Sequence, residues 1–271
     1  MATMILLAGC GNMGFAMLEG WIQAGRIEPP EVTVIEPNDP LRERAQKLGV
    51  DAVASPDQIA EDVAPRLVIF AVKPQVMRDV VPAYRRFAAS GATFLSIAAG
   101  IPIAMFEELL GGEASVIRCM PNTPAAIGKG MMVTATNANV TRDAEEFASE
   151  LLAANGRVAS VADESLMDAV TAVSGSGPAY VFHMIECLTA AGERAGLPRD
   201  TAGLLAMQTV YGAASLAAES AEEPGRLREQ VTSPNGTTAA ALAVLMGDDR
   251  LKNLMADAVE AARQRSVELG K

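Results

Sequence analysis

The stretch 4–36 holds the tightest constraint on the fold. An apolar run, MILLAG (4–9), passes into the glycine loop Gly9-Cys10-Gly11-Asn12-Met13-Gly14 and an amphipathic pattern from Met13 to Ala24. A second apolar run, VTVIE (32–36), ends in an acid. Strand, glycine turn, helix and strand in so short a span fold as a βαβ unit, with the strands parallel and the crossover right-handed. The three glycines have separate tasks. Gly9 permits the tight turn, Gly11 lets the backbone approach a pyrophosphate, and Gly14 lets the helix pack closely on the strand. The loop therefore reads as a dinucleotide cradle, with Cys10, Asn12 and Met13 contributing to the helix N-terminus that faces the phosphates. Glu36 is placed to accept from an adenosine ribose 2′-OH and to repel a 2′-phosphate. This leans the cofactor toward NADH, with NADPH also used. Asn38, Arg42 and Arg44 lie just downstream and could turn toward a phosphate, although the arginines fit a solvated helix face better.

The same alternation continues. Strand patterns RLVIFAV (66–72), TFLSIAA (93–99), ASVIRCM (114–120) and GMMVTATN (130–137) are interleaved with helical ones such as Leu41–Leu48, Met77–Phe87 and Ile103–Leu110. Short apolar strands alternating with helices predict a doubly wound, Rossmann-like parallel sheet. After Asp163 the strand signals stop. Glu164–Val173, Pro178–Ala195, Pro198–Ser220, Pro224–Val231, Thr237–Met246 and a last stretch from about Asp248 to Leu269 all read as helices, and Pro178, Pro198 and Pro224 each stand where a helix can begin. The expectation is an α/β domain over 1–162 followed by an all-α domain over 163–271.

In open α/β sheets ligands bind beyond the carboxyl ends of the strands. Three loops meet that description: Ala71-Val72-Lys73-Pro74, Ala98-Ala99-Gly100, and Pro121-Asn122-Thr123-Pro124. Together with the glycine loop they are expected to line one crevice.

Composition narrows the partners. The net charge of −11 argues against nucleic acid and anionic membranes as partners of the overall field. No apolar run approaches the length of a membrane span, and the apolar start lacks the basic flank of a secretion signal. The cysteines, Cys10, Cys119 and Cys187, are odd in number and far apart, which fits a reduced, cytoplasmic chain. With one histidine, His183, no metal site is expected.

An acidic chain that binds an anion must do so locally. The stretch VTSPNGTTAAAL (231–242) crowds hydroxyls, a proline and a glycine into the start of an alanine-rich helix. Serine and threonine cap helices, and Asn-Gly makes turns. A helix N-terminus with free N–H groups can also hold a carboxylate. Ser174, Ser176 and Gly177 open another helix in the same manner, where a capped sharp turn is the plainer reading.

In order along the chain, GCGNMG, AVKPQ, SIAAGI, IRCMPNTPAAIGKGM, DAVTAVSGSGPAY and VTSPNGTT resemble the motifs of the pyrroline-5-carboxylate reductases, from about residue 5 to 265. The resemblance implies a Rossmann domain carrying NADPH or NADH, and a helical domain forming an intertwined homodimer that often assembles further. It implies reduction of L-1-pyrroline-5-carboxylate to L-proline, the last step of proline biosynthesis. It also implies that the 231–242 stretch cradles the substrate carboxylate through Ser233, Gly236, Thr237 and Thr238, contributed by the second subunit. Thr238, or a water it holds, would deliver a proton to the ring nitrogen. Glu164 and Gln230 correspond to substrate-site positions, and only the resemblance raises Glu164 above an ordinary first-turn acid. Asn235 stands where the family usually has glycine, and asparagine tolerates a left-handed backbone. Gln230 stands where asparagine is common.

The chemistry fits the inventory. A protonated cyclic imine is already a strong electrophile, so the site needs orientation more than acid–base equipment. His183 then reads as a partly buried helix residue rather than a polarising base. Two rivals are weaker. A β-hydroxyacid-type dehydrogenase would place a lysine in the helix after the SGSG loop, and PAYVFHMIECLTAAGERAG has none. A cofactor-binding sensor or carrier would not need both loops.

Overall fold

The computed structural model describes residues 4–270. The strands β1 (Ile5–Ala8), β2 (Val32–Ile35), β3 (Asp51–Val53), β4 (Leu67–Phe70), β5 (Thr93–Ser96), β6 (Ser115–Met120), β7 (Gly130–Thr136) and β8 (Gly156–Ser160) form one sheet, ordered β3-β2-β1-β4-β5-β6-β7-β8. The helices α1 (Asn12–Gln23), α2 (Asp39–Gln46), α3 (Met77–Val80), α4 (Arg85–Ala89), α5 (Ile103–Leu110), α6 (Arg142–Leu152) and α7 (Met167–Val170) belong to the same part of the chain. ILLA, VTVI, LVIF and TFLS are buried along their whole length, as parallel strands covered on both faces must be. One core cluster holds Trp21, Leu18 and Leu152. A second gathers Phe70, Tyr84, Phe94 and Phe106, with Tyr84 edge-on to Phe70 at 5.1 Å.

β1 pairs with β2 on one side and with β4 on the other, so the strand order reverses there. That switch point opens the crevice at the ends of β1 and β4. The sheet departs from the parallel expectation at one pair: β7 runs antiparallel to β6, with Met120 opposite Val133. The segment 121–129 is too short to carry a crossover, so the chain turns back beside β6. The patterns named above omit β3 and β8, which are the two edge strands. The helix expected over Met77–Phe87 is broken into α3, a 3-10 turn Val81–Tyr84, and α4, because Pro82 cannot donate to a continuous ladder.

Within the described residues two compact units are distinguished. The first runs to Ser176 and takes in the chain from Ala262 onward; the second is Gly177–Ala261. The helical pattern thus begins after Asp163, but residues 164–176 pack with the sheet, Met167 lying against Val133 and Ala135. The stretch Glu164–Val173 is not one α-helix. It is a 3-10 turn, then α7, then a π-turn Thr171–Gly175 closed by the Ser176 N–H donating to Thr171 O at 2.8 Å.

The second unit contains α8 (Gly177–Arg194), α9 (Arg199–Glu219), α10 (Pro224–Gln230), α11 (Thr237–Met246) and most of α12 (Arg250–Leu269). α9 folds back on α8 over small residues: a Cβ at Gly192 would lie 3.1 Å from Ala202 Cβ. No helix among the described residues is long and apolar enough to cross a membrane.

Candidate active site

The glycine loop has the geometry its sequence implies. Gly9 is left-handed, with φ +90°, and a Cβ there would meet Ala71 O and Val72 Cγ1 at 2.8 Å. A Cβ at Gly14 would fall 2.6 Å from Gly9 O, so helix and turn touch directly. A Cβ at Gly11 meets nothing within 4 Å, and Gly11 is the N-cap of α1. Space beside Gly11 and the positive end of a twelve-residue helix thus coincide. A cleft of about 580 Å³ opens there, walled by Gly9, Gly11, Glu36, Ala71, Val72 and Lys73 among others.

Glu36 is buried, and its carboxylate ties two turns together. Oε2 accepts the Cys10 N–H at 2.8 Å, and Oε1 accepts the Asn38 N–H at 2.9 Å. Asn38 in turn caps α2 through the Leu41 N–H. The arginines do not form a solvated face. Arg42 donates to Glu36 O at 2.8 Å and pairs with Asp39. Arg44 donates to Cys10 O at 2.8 Å and stacks 4.1 Å over the Phe15 ring. Free carbonyls draw both guanidinium groups inward, those of the glycine turn for Arg44 and those of Glu36 and Pro37 for Arg42. Burial pushes the Cys10 thiol up to about 11, against the pull of Arg44.

Of the three strand-end loops, the first lies on this cleft, where Pro74 starts the 3-10 turn Pro74–Val76 after Lys73. The other two do not form its wall. Ala98 donates to Ser96 Oγ, and Ala99 leads into Gly100, which is left-handed and packs against Leu269 and Gly270. Asn122 is a bridge: its Oδ1 accepts the Met131 N–H at 2.8 Å, and its Nδ2 donates to Ser174 O at 3.0 Å. A Cβ at Gly175 would lie 2.5 Å from Met120 Cε, so a side chain there would displace the end of that methionine. Single π-turns of this kind recur at functional sites. Ser174 Oγ donates back to Val170 O, and Gly177 is the first residue of α8.

At the start of α11 the capping reading fails. The N-cap is Gly236, which has no side chain to offer. The hydroxyls of Ser233, Thr237 and Thr238 flank it instead. The Gly236 N–H donates to Ser233 O at 3.1 Å, and a Cβ on Gly236 would fall 2.4 Å from Ser233 Oγ. Asn235 is left-handed, with φ +60°. Gln230 is exposed and donates to Glu222 at 2.6 Å. His183 is not partly buried in the chain: its side chain is 75% exposed, with Nδ1 3.0 Å from Glu186 Oε2.

Glu164 sits in the first unit. Its Oε1 accepts from the Ile103 N–H at 2.9 Å and from Arg118 Nη1 at 3.0 Å. Arg118, Asp168 and Ser266, which surround it, were not singled out from the sequence. The signal for Arg118 was present: one charge inside the otherwise uncharged strand SVIRCM.

Comparison with known proteins adds to this geometry. Residues 164–269 match the family model described as pyrroline-5-carboxylate reductase dimerisation, and residues 4–100 match one described as NADP oxidoreductase coenzyme F420-dependent. The chain is 42% identical to the pyrroline-5-carboxylate reductase of Pseudomonas aeruginosa, covering 98% of this chain and 96% of that one. It is 42% identical to that of a Synechocystis species over the full length of both. The chain belongs to the pyrroline-5-carboxylate reductase family. Among solved structures, a pyrroline-5-carboxylate reductase from Coxiella burnetii superposes over the whole of both chains, with a TM-score of 0.93 at 33% identity. A Plasmodium falciparum pyrroline carboxylate reductase with NADP bound superposes with a TM-score of 0.85 at 29% identity, over 99% of this chain and 98% of that one. Each unit carries one such feature. The first has the cleft at the Gly9–Gly14 loop, and the second has the glycine-capped start of α11.

Proposed function

We infer that the chain reduces L-1-pyrroline-5-carboxylate to L-proline with NADH or NADPH. The observation that carries this reading, beside the family, is the pairing of two glycine-capped helix starts. One follows β1 at the switch point of a parallel sheet, and the other is ringed by hydroxyls. The open space at Gly11 and the adjoining cleft fit a dinucleotide. Gly9, Cys10, Gly11, Asn12, Met13 and Gly14 would hold its pyrophosphate, Glu36 and Asn38 its adenosine ribose, and Ala71–Pro74 the path between. Ala98–Gly100 and Asn122 complete the reading at the nicotinamide end. When bound, the cofactor supplies the hydride for the C=N bond. Glu36 supports a lean to NADH.

The residues of the chain have three tasks. Backbone N–H groups at Thr237 and Thr238, with the Ser233 hydroxyl and the room left by Gly236, hold the substrate carboxylate by neutral donors at a helix dipole. Ser174, Ser176, Gly177, Glu164 and Gln230 frame the ring. Thr238, or a water it holds, gives the nitrogen its proton. The helical domain, over 163–271, forms a homodimer or higher homo-oligomer in which the partner subunit supplies the α11 cradle. The enzyme works in the cytoplasm, on a small molecule, with neither nucleic acid nor membrane as partner.

Purified protein with pyrroline-5-carboxylate, followed by cofactor absorbance with NADH and NADPH in parallel, tests the reaction. Proline formed with either cofactor supports it. Cofactor binding without oxidation leaves the sensor reading. Thr238→Ala is expected to lower kcat by about tenfold to a hundredfold, the range of one general-acid contribution, with cofactor affinity within about twofold. An unchanged kcat removes Thr238 from the mechanism.

A further inference from the structure

Arg118 lies inside β6 and is 6% exposed. A guanidinium in that position is costly unless its charge and its donors are matched. Two acids match it. Nη1 is 3.0 Å from Glu164 Oε1, and Nη2 is 3.9 Å from Asp168 Oδ1. Each acid has a further partner. Asp168 Oδ1 accepts from Ser266 Oγ at 2.6 Å, and Ser266 is itself buried. Glu164 Oε1 also accepts the Ile103 N–H.

The distribution of these bonds on Glu164 is uneven. Both fall on Oε1, and among the described residues no protein donor bonds Oε2. The side chain keeps 29% of its surface exposed. A carboxylate whose inner oxygen is fixed twice and whose outer oxygen is unused is one whose direction has been set. Lysine would not do this equally well. One ammonium is a point charge, whereas the planar fork of arginine reaches two acids with separate nitrogens.

We propose that Arg118 is a positioning residue of the reductase: it fixes Glu164 Oε1 so that Oε2 is presented to the cationic ring nitrogen of the protonated cyclic imine, and it acts only through Glu164. This rests on the reading of Glu164 as a substrate-site residue. An iminium is the one part of the substrate that a carboxylate attracts, because the substrate's own carboxylate is repelled. Asp168 and Ser266 hold the other half of the guanidinium in place.

The test is a double-mutant cycle on the full-length oligomer, reading KM for the imine, kcat, cofactor Kd and Tm. Glu164→Gln is expected to raise KM for the imine about tenfold, and Arg118→Met by a similar factor, with cofactor Kd within about twofold. In the Glu164→Gln background Arg118→Met should add less than about twofold, since both changes remove one unit. Arg118→Lys should recover part of the loss, and it carries the cycle if Arg118→Met does not fold. Losses that multiply independently, or an Arg118→Lys enzyme with unchanged KM beside an impaired Glu164→Gln, overturn the proposal alone. An unchanged KM in Glu164→Gln overturns the underlying reading of Glu164 and the proposal with it.

Discussion

In the first unit Phe70, Tyr84, Phe94 and Phe106 are at most 1% exposed, while in the second Phe182, Leu204, Tyr211 and Leu216 are each more than half exposed. Both sets are large and apolar. What differs is the number of layers. The sheet has helices on two faces, so its central strands β1, β2, β4 and β5 are covered within their own chain. In the second unit only Ala202 and Ala206 are buried among the described residues. Small residues let α8 and α9 approach closely, but larger apolar side chains such as Phe182, Leu204 and Leu216 stay exposed. At about 25 cal/mol per Å² of apolar surface, exposure on this scale is a strong drive to associate. The match of 164–269 to a pyrroline-5-carboxylate reductase dimerisation family supports homo-oligomerisation, which would cover such a face.

The comparison breaks most directly at the apolar face. Leu204→Asp combined with Leu216→Asp should convert the oligomer to monomers in light scattering, because charged groups at a buried centre are strongly unfavourable. Turnover should fall by more than about a hundredfold, as expected when a shared interface is lost, while cofactor Kd stays within about threefold. An oligomer of unchanged size would show that this face is not the one that associates.

A contrast in stability is the next largest effect. Phe70→Ala empties a space inside the first unit's own core and should cost about 3–5 kcal/mol. That cost should be the same at any protein concentration. Leu204→Ala should instead lower stability in a concentration-dependent way, since association and folding are linked. Thermal melts at two protein concentrations separate the cases. A concentration-independent loss for Leu204→Ala would place that side chain in an intrachain core.

The two regions also differed in how far the sequence disclosed them. The βαβ unit was legible because each glycine answers to one steric need: Gly9 to a left-handed turn, Gly14 to the Gly9 carbonyl. The antiparallel β7 was not legible, since strand patterns carry no direction; the brevity of 121–129 was the available sign. The break at Pro82 could have been read from that residue alone. The packing boundary at 176/177 was hidden because the switch from strands to helices precedes it, and residues 164–176 are helical yet belong with the sheet. At α11 the turn chemistry was readable, but whether hydroxyls cap the helix depended on which residue became the N-cap. The Arg42 and Arg44 contacts follow from carbonyls the fold brings together, which periodicity does not report.

The two glycine-capped helix starts sharpen the comparison at the site itself. Gly11→Ala places its methyl in open space, so the protein should melt within about 0.5 kcal/mol of wild type, as changes outside named strain sites do. Its effect should appear in cofactor Kd, raised about tenfold by loss of close backbone approach. Gly236→Ala meets Ser233 Oγ instead. It should raise KM for the imine about tenfold, the cost of displacing one hydrogen-bonding side chain, and leave cofactor Kd alone. Equal effects of both variants on both ligands would mean that the two starts do not serve separate ligands.

The smallest expected effect concerns cofactor choice, and its size follows from the arginines. Glu36→Ser removes a charge that opposes a 2′-phosphate, which alone would favour NADPH. A large gain needs a cation free to replace it, and the two arginines that follow Glu36 are engaged: Arg42 is held by Glu36 O and Asp39, and Arg44 by Cys10 O and the Phe15 ring. The Cys10 and Asn38 N–H groups also lose their acceptor, so part of the loop's order goes with the charge. The NADPH:NADH ratio of kcat/KM should therefore rise by only about threefold to tenfold, near one partly screened charge interaction. A shift of several hundredfold would mean that the arginines swing out once Glu36 is gone, and that their places are held by the acid rather than by the carbonyls they bond.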